Sequence, residues 1–166
     1  MSGAELNRIL EEYGGNICRF CYSLCKNEND ADDLFQETCL KLLKSDFRIK
    51  SREETLSFLY KTCLNAYRNA YRAAKRRGEM EIHGVSSEYI ENIPDKKADA
   101  ETYEELYRAV DTLPYKYRTV ITLSYFEGLS EKNVSDILGV PPGTVKSRLY
   151  KAKQLLKKEL MKNENN

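Results

Sequence analysis

Four clusters of side chains in this 166-residue chain have types and spacings that could do chemistry. The first is Cys18-x2-Cys21-x3-Cys25, with Cys39 and Cys63 further on. Clustered thiolates hold zinc or an iron–sulfur centre when a second CxxC pair or histidines complete the shell. Neither is at hand: no second CxxC exists, and His83, the one histidine, lies in an acidic stretch. Offsets of 3 and 7 also set the three cysteines on one helical face, where Cys packs as a small apolar residue. Packing is the favoured reading, with a metal or redox role as its alternative. The odd count of 5 cysteines argues against a disulfide framework. No cofactor or metal is expected, and no catalytic constellation is evident, so the chain is not read as an enzyme.

The second cluster lies in "GLSEKNVSDILGVPPGTVKSRLYKAKQLLKKEL", residues 128–160. Ser130 is placed to cap a short helix, Gly139 to make a sharp turn, and the residues after it to form a long helix. With Val145 and Leu149 turned inward, Thr144, Lys146, Ser147, Tyr150 and Lys151 point outward or to the flanks. Lysine donates to guanine acceptors in the major groove, and hydroxyls bond bases or phosphates. From 143 to 162 there are 7 Lys/Arg and 1 acid, which adds attraction for phosphate. A solvated basic face would explain Lys157, Lys158 and Lys162 through the helix dipole. It would not explain the glycine turn or the early polar positions, so a DNA-reading helix-turn-helix is expected.

The third cluster, Asp33, Gln36 and Glu37 in "DADDLFQETCLKLL", has offsets of 0, 3 and 4 and so shares one face. It suits a protein partner carrying basic and amide groups, and equally a solvated acidic face near a helix start. The fourth combines Asn65, Arg68, Asn69 and Arg72 with Tyr67 and Tyr71, followed by Lys75, Arg76 and Arg77. Cations beside aromatic rings fit unstacked bases and their backbone. The tyrosines could instead be core.

The elements that must position these groups are helices. Leu6, Ile9, Leu10 and Tyr13 start an apolar face that Gly14-Gly15 threatens to interrupt and that Ile17, Phe20, Cys21, Leu24 and Cys25 resume. Asp30 is the expected N-cap of a helix burying Ala31, Leu34, Phe35, Thr38, Leu42 and Leu43. Ser51 and Glu54 form an expected capping box before a long helix burying Leu56, Leu59, Tyr60, Cys63, Tyr67 and Tyr71. Periodicity then fails from Gly78 to about Ala100. Beyond it come a helix with Tyr103, Leu106, Val110 and Leu113, a helix begun by Pro114, and the helix-turn-helix.

Charge follows the same division. Residues 1–77 carry 14 Lys/Arg and 11 Asp/Glu, residues 78–105 carry 2 and 9, and residues 106–166 carry 11 and 6. The formal net charge of +1 thus conceals two basic blocks around an acidic one. The expected fold is all-α: two small helical domains, 1–77 and 101–166, joined by a flexible acidic linker, 78–100. No run of about 18 apolar residues and no signal-peptide pattern is present, so a cytoplasmic chain without membrane insertion is expected.

Taken together, "DADDLFQETCLKLL", "FLYKTCLNAYRNAYR" and "LPYKYRTVITLSYFEGLSEKNVSDILGVPPGTVKSRLYKAK" resemble the extracytoplasmic-function subfamily of bacterial RNA polymerase sigma factors. The resemblance implies a region 2 domain over 1–77 and a region 4 domain over 101–166. It implies that Asp33, Gln36 and Glu37 dock on the β′ clamp helices of core RNA polymerase, with the β subunit also a partner. Asn65, with the loop from about Asp46 to Glu54, would capture a flipped base of the single-stranded −10 element. Arg68, Arg72, Lys75 and Arg76 would hold the opened strands. Lys146, Ser147 and Lys151 would read the double-stranded −35 element, with Thr144 and Arg148 nearer the phosphates. The linker would imitate nucleic acid in the RNA exit path, and an anti-sigma protein would be a regulatory partner. The chain departs from the family pattern at Phe58 (usually Trp), Asn69 (usually Asp), Thr62-Cys63 (usually Ile-Ala) and Asn133-Val134-Ser135 (commonly Glu-Ile-Ala).

Two other functions fit parts of the chain. A stand-alone helix-turn-helix regulator would sense redox state through Cys18, Cys21 and Cys25 and bind DNA without polymerase. A protein that only sequesters polymerase would have no use for the basic helix.

Overall fold

The computed structural model describes residues 1–25, 27–78 and 100–164; most of the expected linker lies outside these described residues. Among them the regular structure is helical throughout. The helices are α1 (Gly3–Leu24), α2 (Glu28–Leu43), α3 (Arg52–Arg77), α4 (Ala100–Asp111), α5 (Tyr115–Ile121), α6 (Glu131–Leu138) and α7 (Pro142–Glu164). A π-helical stretch, Thr122–Phe126, continues α5.

Side chains at the helix starts satisfy backbone N–H groups that the helices leave unpaired. Ser2 Oγ accepts from the Glu5 N–H at 3.2 Å while the Glu5 carboxylate accepts from the Ser2 N–H, a reciprocal cap. Asn27, rather than Asp30, caps α2, its Oδ1 accepting from the Asp30 N–H at 2.8 Å. Asn and Asp serve this position about equally well, so local spacing could not choose between them. Ser51 and Ser130 cap α3 and α6 as expected, accepting from the N–H groups of Glu54 and Asn133.

Helix α1 runs unbroken through Gly14 and Gly15. Ile9, Tyr13, Ile17, Phe20, Cys21 and Leu24 form one buried stripe on either side of them, and tertiary burial outweighs the roughly 1 kcal/mol propensity cost of each glycine. Helices α1, α2 and α3 pack on one another. Leu42 is buried, whereas Leu43 is 39% exposed. Buried residues of α3 end at Ala66, so Tyr71, expected to be core, is 47% exposed. Tyr67 is half-buried and stacks on Tyr115, 5.5 Å between ring centroids.

In the second half α7 packs against α4, α5 and α6. Ala109, Val110, Leu113, Ile121, Ala152 and Leu156 form a small core there. The opposite side of this half joins the other one: Val120, Leu123, Leu129, Val134, Ile137, Leu138 and Val145 belong to one apolar cluster with Ile9, Phe20, Leu59 and Tyr60. Helix α3 lies against α6, and α1 against α5. The two halves thus share buried surface in addition to their separate packing.

Candidate polymerase-binding and nucleic-acid surfaces

On α2, the buried positions Ala31, Leu34, Thr38 and Leu42 fix which side faces the bundle. Asp33, Gln36 and Glu37 fall on the other side and are exposed, as is Leu40 at 50%. Glu37 pairs with Lys41 at 3.2 Å, a solvent-exposed bond one turn along the helix. The face is therefore acidic and amide-bearing with an apolar side chain at its end, and no other described element covers it.

On α3, Asn65, Arg72, Lys75 and Arg76 are exposed. Arg68 is not in the same situation. It is half-buried, and its Nη2 donates to the carbonyl oxygen of Leu138 at 3.0 Å, across the junction between the halves. The loop before α3 is folded onto the helix: Phe47 stacks on Phe58 with centroids 4.0 Å apart and planes within 6°. The phenyl ring at position 58 thus has a stacking partner from this loop. The amino terminus of Met1 donates to the Ser45 carbonyl at 2.6 Å, and the Lys50 N–H to Thr55 Oγ1 at 3.3 Å.

In the helix-turn-helix, Gly139 takes φ +67°, a left-handed conformation that costs a residue with a Cβ, and its N–H bonds the Ser135 carbonyl. Ser135 is buried and donates through Oγ to the Val140 carbonyl at 2.6 Å. The hydroxyl is therefore satisfied inside the turn. Val145 and Ala152 are fully buried and Leu149 is half-buried, which leaves Lys146, Ser147, Tyr150 and Lys151 exposed in one row with Thr144 and Arg148 at its margin. Lys146 Nζ lies 3.6 Å from Glu131 at the start of α6, and Ser147 Oγ donates to the Thr144 carbonyl at 3.0 Å. Both are exposed contacts that a DNA duplex could displace.

These surfaces now have a family. The model for sigma-70 region 2 matches residues 9–77, and that for sigma-70 region 4 matches residues 103–156. The chain is 34% identical over 159 residues to the RNA polymerase sigma factor SigV of Bacillus subtilis, covering 96% of this chain and 93% of that one. It belongs to the bacterial RNA polymerase sigma factors of the extracytoplasmic-function group. The ECF sigma-E factor of Haemophilus influenzae is similar at 31% identity, over 93% of this chain and 85% of its own. At the level of fold, the chain is similar to the sigma factor RpoE of Bartonella quintana, solved in complex with the anti-sigma factor NepR. The TM-score is 0.75, with 22% identity and 93% and 96% of the two chains covered.

As a sigma factor the chain works with core RNA polymerase to direct initiation at promoters. Among the described residues no helix is long and apolar enough to cross a membrane. Nor is any group of three or more His, Cys, Asp or Glu arranged to hold a metal ion. The cysteines are free thiols. Cys21 and Cys63 are buried with their sulfurs 3.3 Å apart, and burial pushes the Cys25 thiol up to about 12. Held protonated in this way, Cys25 is a poor nucleophile.

One further group had no local signal to mark it. The Glu127 carboxylate, with its side chain 1% exposed, accepts from Asn16 Nδ2 at 2.8 Å and from the Tyr60 hydroxyl, with Arg19 Nε 3.8 Å away. Its partners are 67 and 111 residues distant along the chain for the two hydrogen bonds, beyond the reach of any local pattern.

Proposed function

We propose that this sigma factor docks on polymerase and reads a two-part promoter with residues from three of its helices. Residues 1–77 act as the domain that docks on polymerase and melts DNA, and residues 101–166 as the −35 reader, with 78–100 as the connection between them. Asp33, Gln36 and Glu37 dock on the β′ clamp helices. Asn65 captures an unpaired −10 base, and Arg68, Arg72, Lys75 and Arg76 hold the separated strands. Lys146, Ser147 and Lys151 contact base edges of the −35 duplex, while Thr144 and Arg148 bind its phosphates.

The observation that carries this reading is the row on α7. The burial of Val145 and Ala152 behind it fixes its direction, and the row combines cations with hydroxyls over the first turns of the helix. The chain itself supplies no catalytic group; polymerase performs the chemistry. It acts in the cytoplasm, where its template is, and an anti-sigma protein is its regulatory partner, by analogy with the Bartonella factor solved with NepR.

Reconstituted transcription tests the reading. The purified chain is added to bacterial core polymerase with a pool of randomised promoter DNA, and start sites are sequenced. Initiation that depends on the chain and shares a two-part upstream motif supports it. Silent polymerase together with duplex binding by the chain alone would replace it with the stand-alone regulator. Within the assay, Asp33→Ala with Gln36→Ala should weaken polymerase binding while the fold, read by circular dichroism, is retained.

A further inference from the structure

Glu127 follows the π stretch, and its own N–H bonds the Thr122 carbonyl at 3.0 Å, which fixes its backbone in the second half of the chain. Its side-chain partners belong to the first half: Asn16 and Arg19 on α1, Tyr60 on α3. A carboxylate leaves water at large cost unless donors and a cation replace its hydration. Here an amide, a phenol and a guanidinium do so. Parted from the first half, the same carboxylate would be hydrated by solvent, so it suits both a docked and an open arrangement. An apolar side chain at this position would favour only the docked one.

The docked arrangement has a second consequence on α3. Arg68 donates to the carbonyl at the end of α6, where the helix leaves its last carbonyls unpaired and partly negative. Tyr67 beside it stacks on Tyr115. Asp33, Gln36 and Glu37 on α2, and Lys146, Ser147 and Lys151 on α7, remain exposed. The junction therefore engages one cation of the α3 row and leaves the other two surfaces open.

We propose that Glu127, held by Tyr60, Asn16 and Arg19, is a latch that keeps the two halves of this chain docked, and that the docked state withholds Arg68 from DNA until the latch parts. The withholding rests on the assignment of Arg68 to the −10 strand; the latch does not. The docked chain can meet polymerase through α2 and duplex DNA through α7. It grips the melted strand fully only after opening, so strand capture follows the other two contacts.

The test uses the full chain as wild type, Glu127→Ala and Tyr60→Phe. Tyr60→Phe keeps the buried ring and removes only the hydroxyl, which covers the case in which Glu127→Ala disturbs the second half. Small-angle X-ray scattering reads the separation of the halves, and fluorescence anisotropy reads binding to a labelled single-stranded DNA of mixed sequence. Compact scattering is expected for wild type, and an increased radius of gyration for both variants. The DNA dissociation constant should fall by about tenfold if the open form rises from a tenth of the molecules to nearly all. That gain should vanish when Arg68→Ala is added. Extended scattering from wild type, or unchanged scattering from both variants, overturns the latch. Expansion without any gain in DNA affinity overturns the withholding, and with it the −10 role of Arg68, while the latch itself stands.

Discussion

The basic row of α7 and the basic row of α3 use the same chemistry and differ in availability. On α7, Lys146, Ser147 and Lys151 all face solvent, held there by Val145 and Ala152 beneath. On α3, Arg72, Lys75 and Arg76 face solvent, while Arg68 donates to a carbonyl of the other half. Helical spacing determines which side chains share a face. It does not determine whether a distant part of the same chain occupies that face. For a sigma factor the difference matters, because duplex reading and strand capture then begin from unequal starting points.

The largest effect that would break this comparison concerns the shared core. Leu123 is fully buried in the apolar cluster that includes residues of both halves. Leu123→Ala should cost about 2–5 kcal/mol, transfer and cavity terms together. If the halves are docked in solution, calorimetry of this variant should show one cooperative transition at lowered Tm. Two separated transitions, with only one displaced, would mean that the halves melt independently and that Arg68 is as available as Lys151.

A smaller effect sharpens the comparison at the DNA. Lys151→Ala should weaken binding to a −35 duplex by about 1–3 kcal/mol if the ammonium contacts a base edge, with the preference at that base relaxed. Arg72→Ala on α3 should act differently, weakening binding to opened DNA about equally across sequences and reducing the salt slope by about 1. Titrations at several salt concentrations separate the two behaviours. A Lys151 variant that changed only the salt slope would make it a phosphate contact.

Much of this was legible in the sequence, and for identifiable reasons. The caps at Ser51 and Ser130, the turn at Gly139 and the burial of Val145 are local, set by residues within one or two turns of each other. The outward position of Asp33, Gln36 and Glu37 follows from the periodicity of α2 alone. The failures lie where distant contacts decide. Gly14-Gly15 stays helical because its neighbours are buried against other helices. Tyr71 is exposed because the burial of α3 ends at Ala66, which its own periodicity could not reveal. Arg68 and Glu127 find their partners across 70 and 111 residues, at the junction of the halves, where no local pattern reaches.

Inside the helix-turn-helix, Ser135→Ala should remove the bond from Ser135 Oγ to the Val140 carbonyl. Alanine is smaller than serine, so the site accepts the volume, and the loss should be about 1 kcal/mol in denaturant unfolding. A neutral result would show that the Val140 carbonyl finds water instead. The turn would still present Lys146 and Lys151 as before.

The smallest expected effect is a tilt of stability with pH at the end of α4. Burial pushes the Asp111 carboxyl up to about 6, against the lowering influence of Arg118, and its Oδ2 has no hydrogen-bond partner. A carboxyl whose folded pKa lies above its unfolded value, 3.8, binds protons more readily in the folded chain. Between about pH 4 and pH 6 the folded state therefore holds more protons than the unfolded one, and stability falls as pH rises through that window. Above pH 6 the penalty of a buried, ionised and incompletely paired carboxylate is fully present. Asp111→Asn removes the titration, so the Tm difference between variant and wild type should be more favourable to the variant at pH 7.5 than at pH 4.5. Asp111 belongs to the half that carries α7, and the variant leaves the Glu127 contacts untouched. Its effect on Tm should therefore appear without any change in the scattering that reports docking. A change in both would mean that the packing of α4 and the junction of the halves are coupled, and that the availability of Arg68 itself varies with pH.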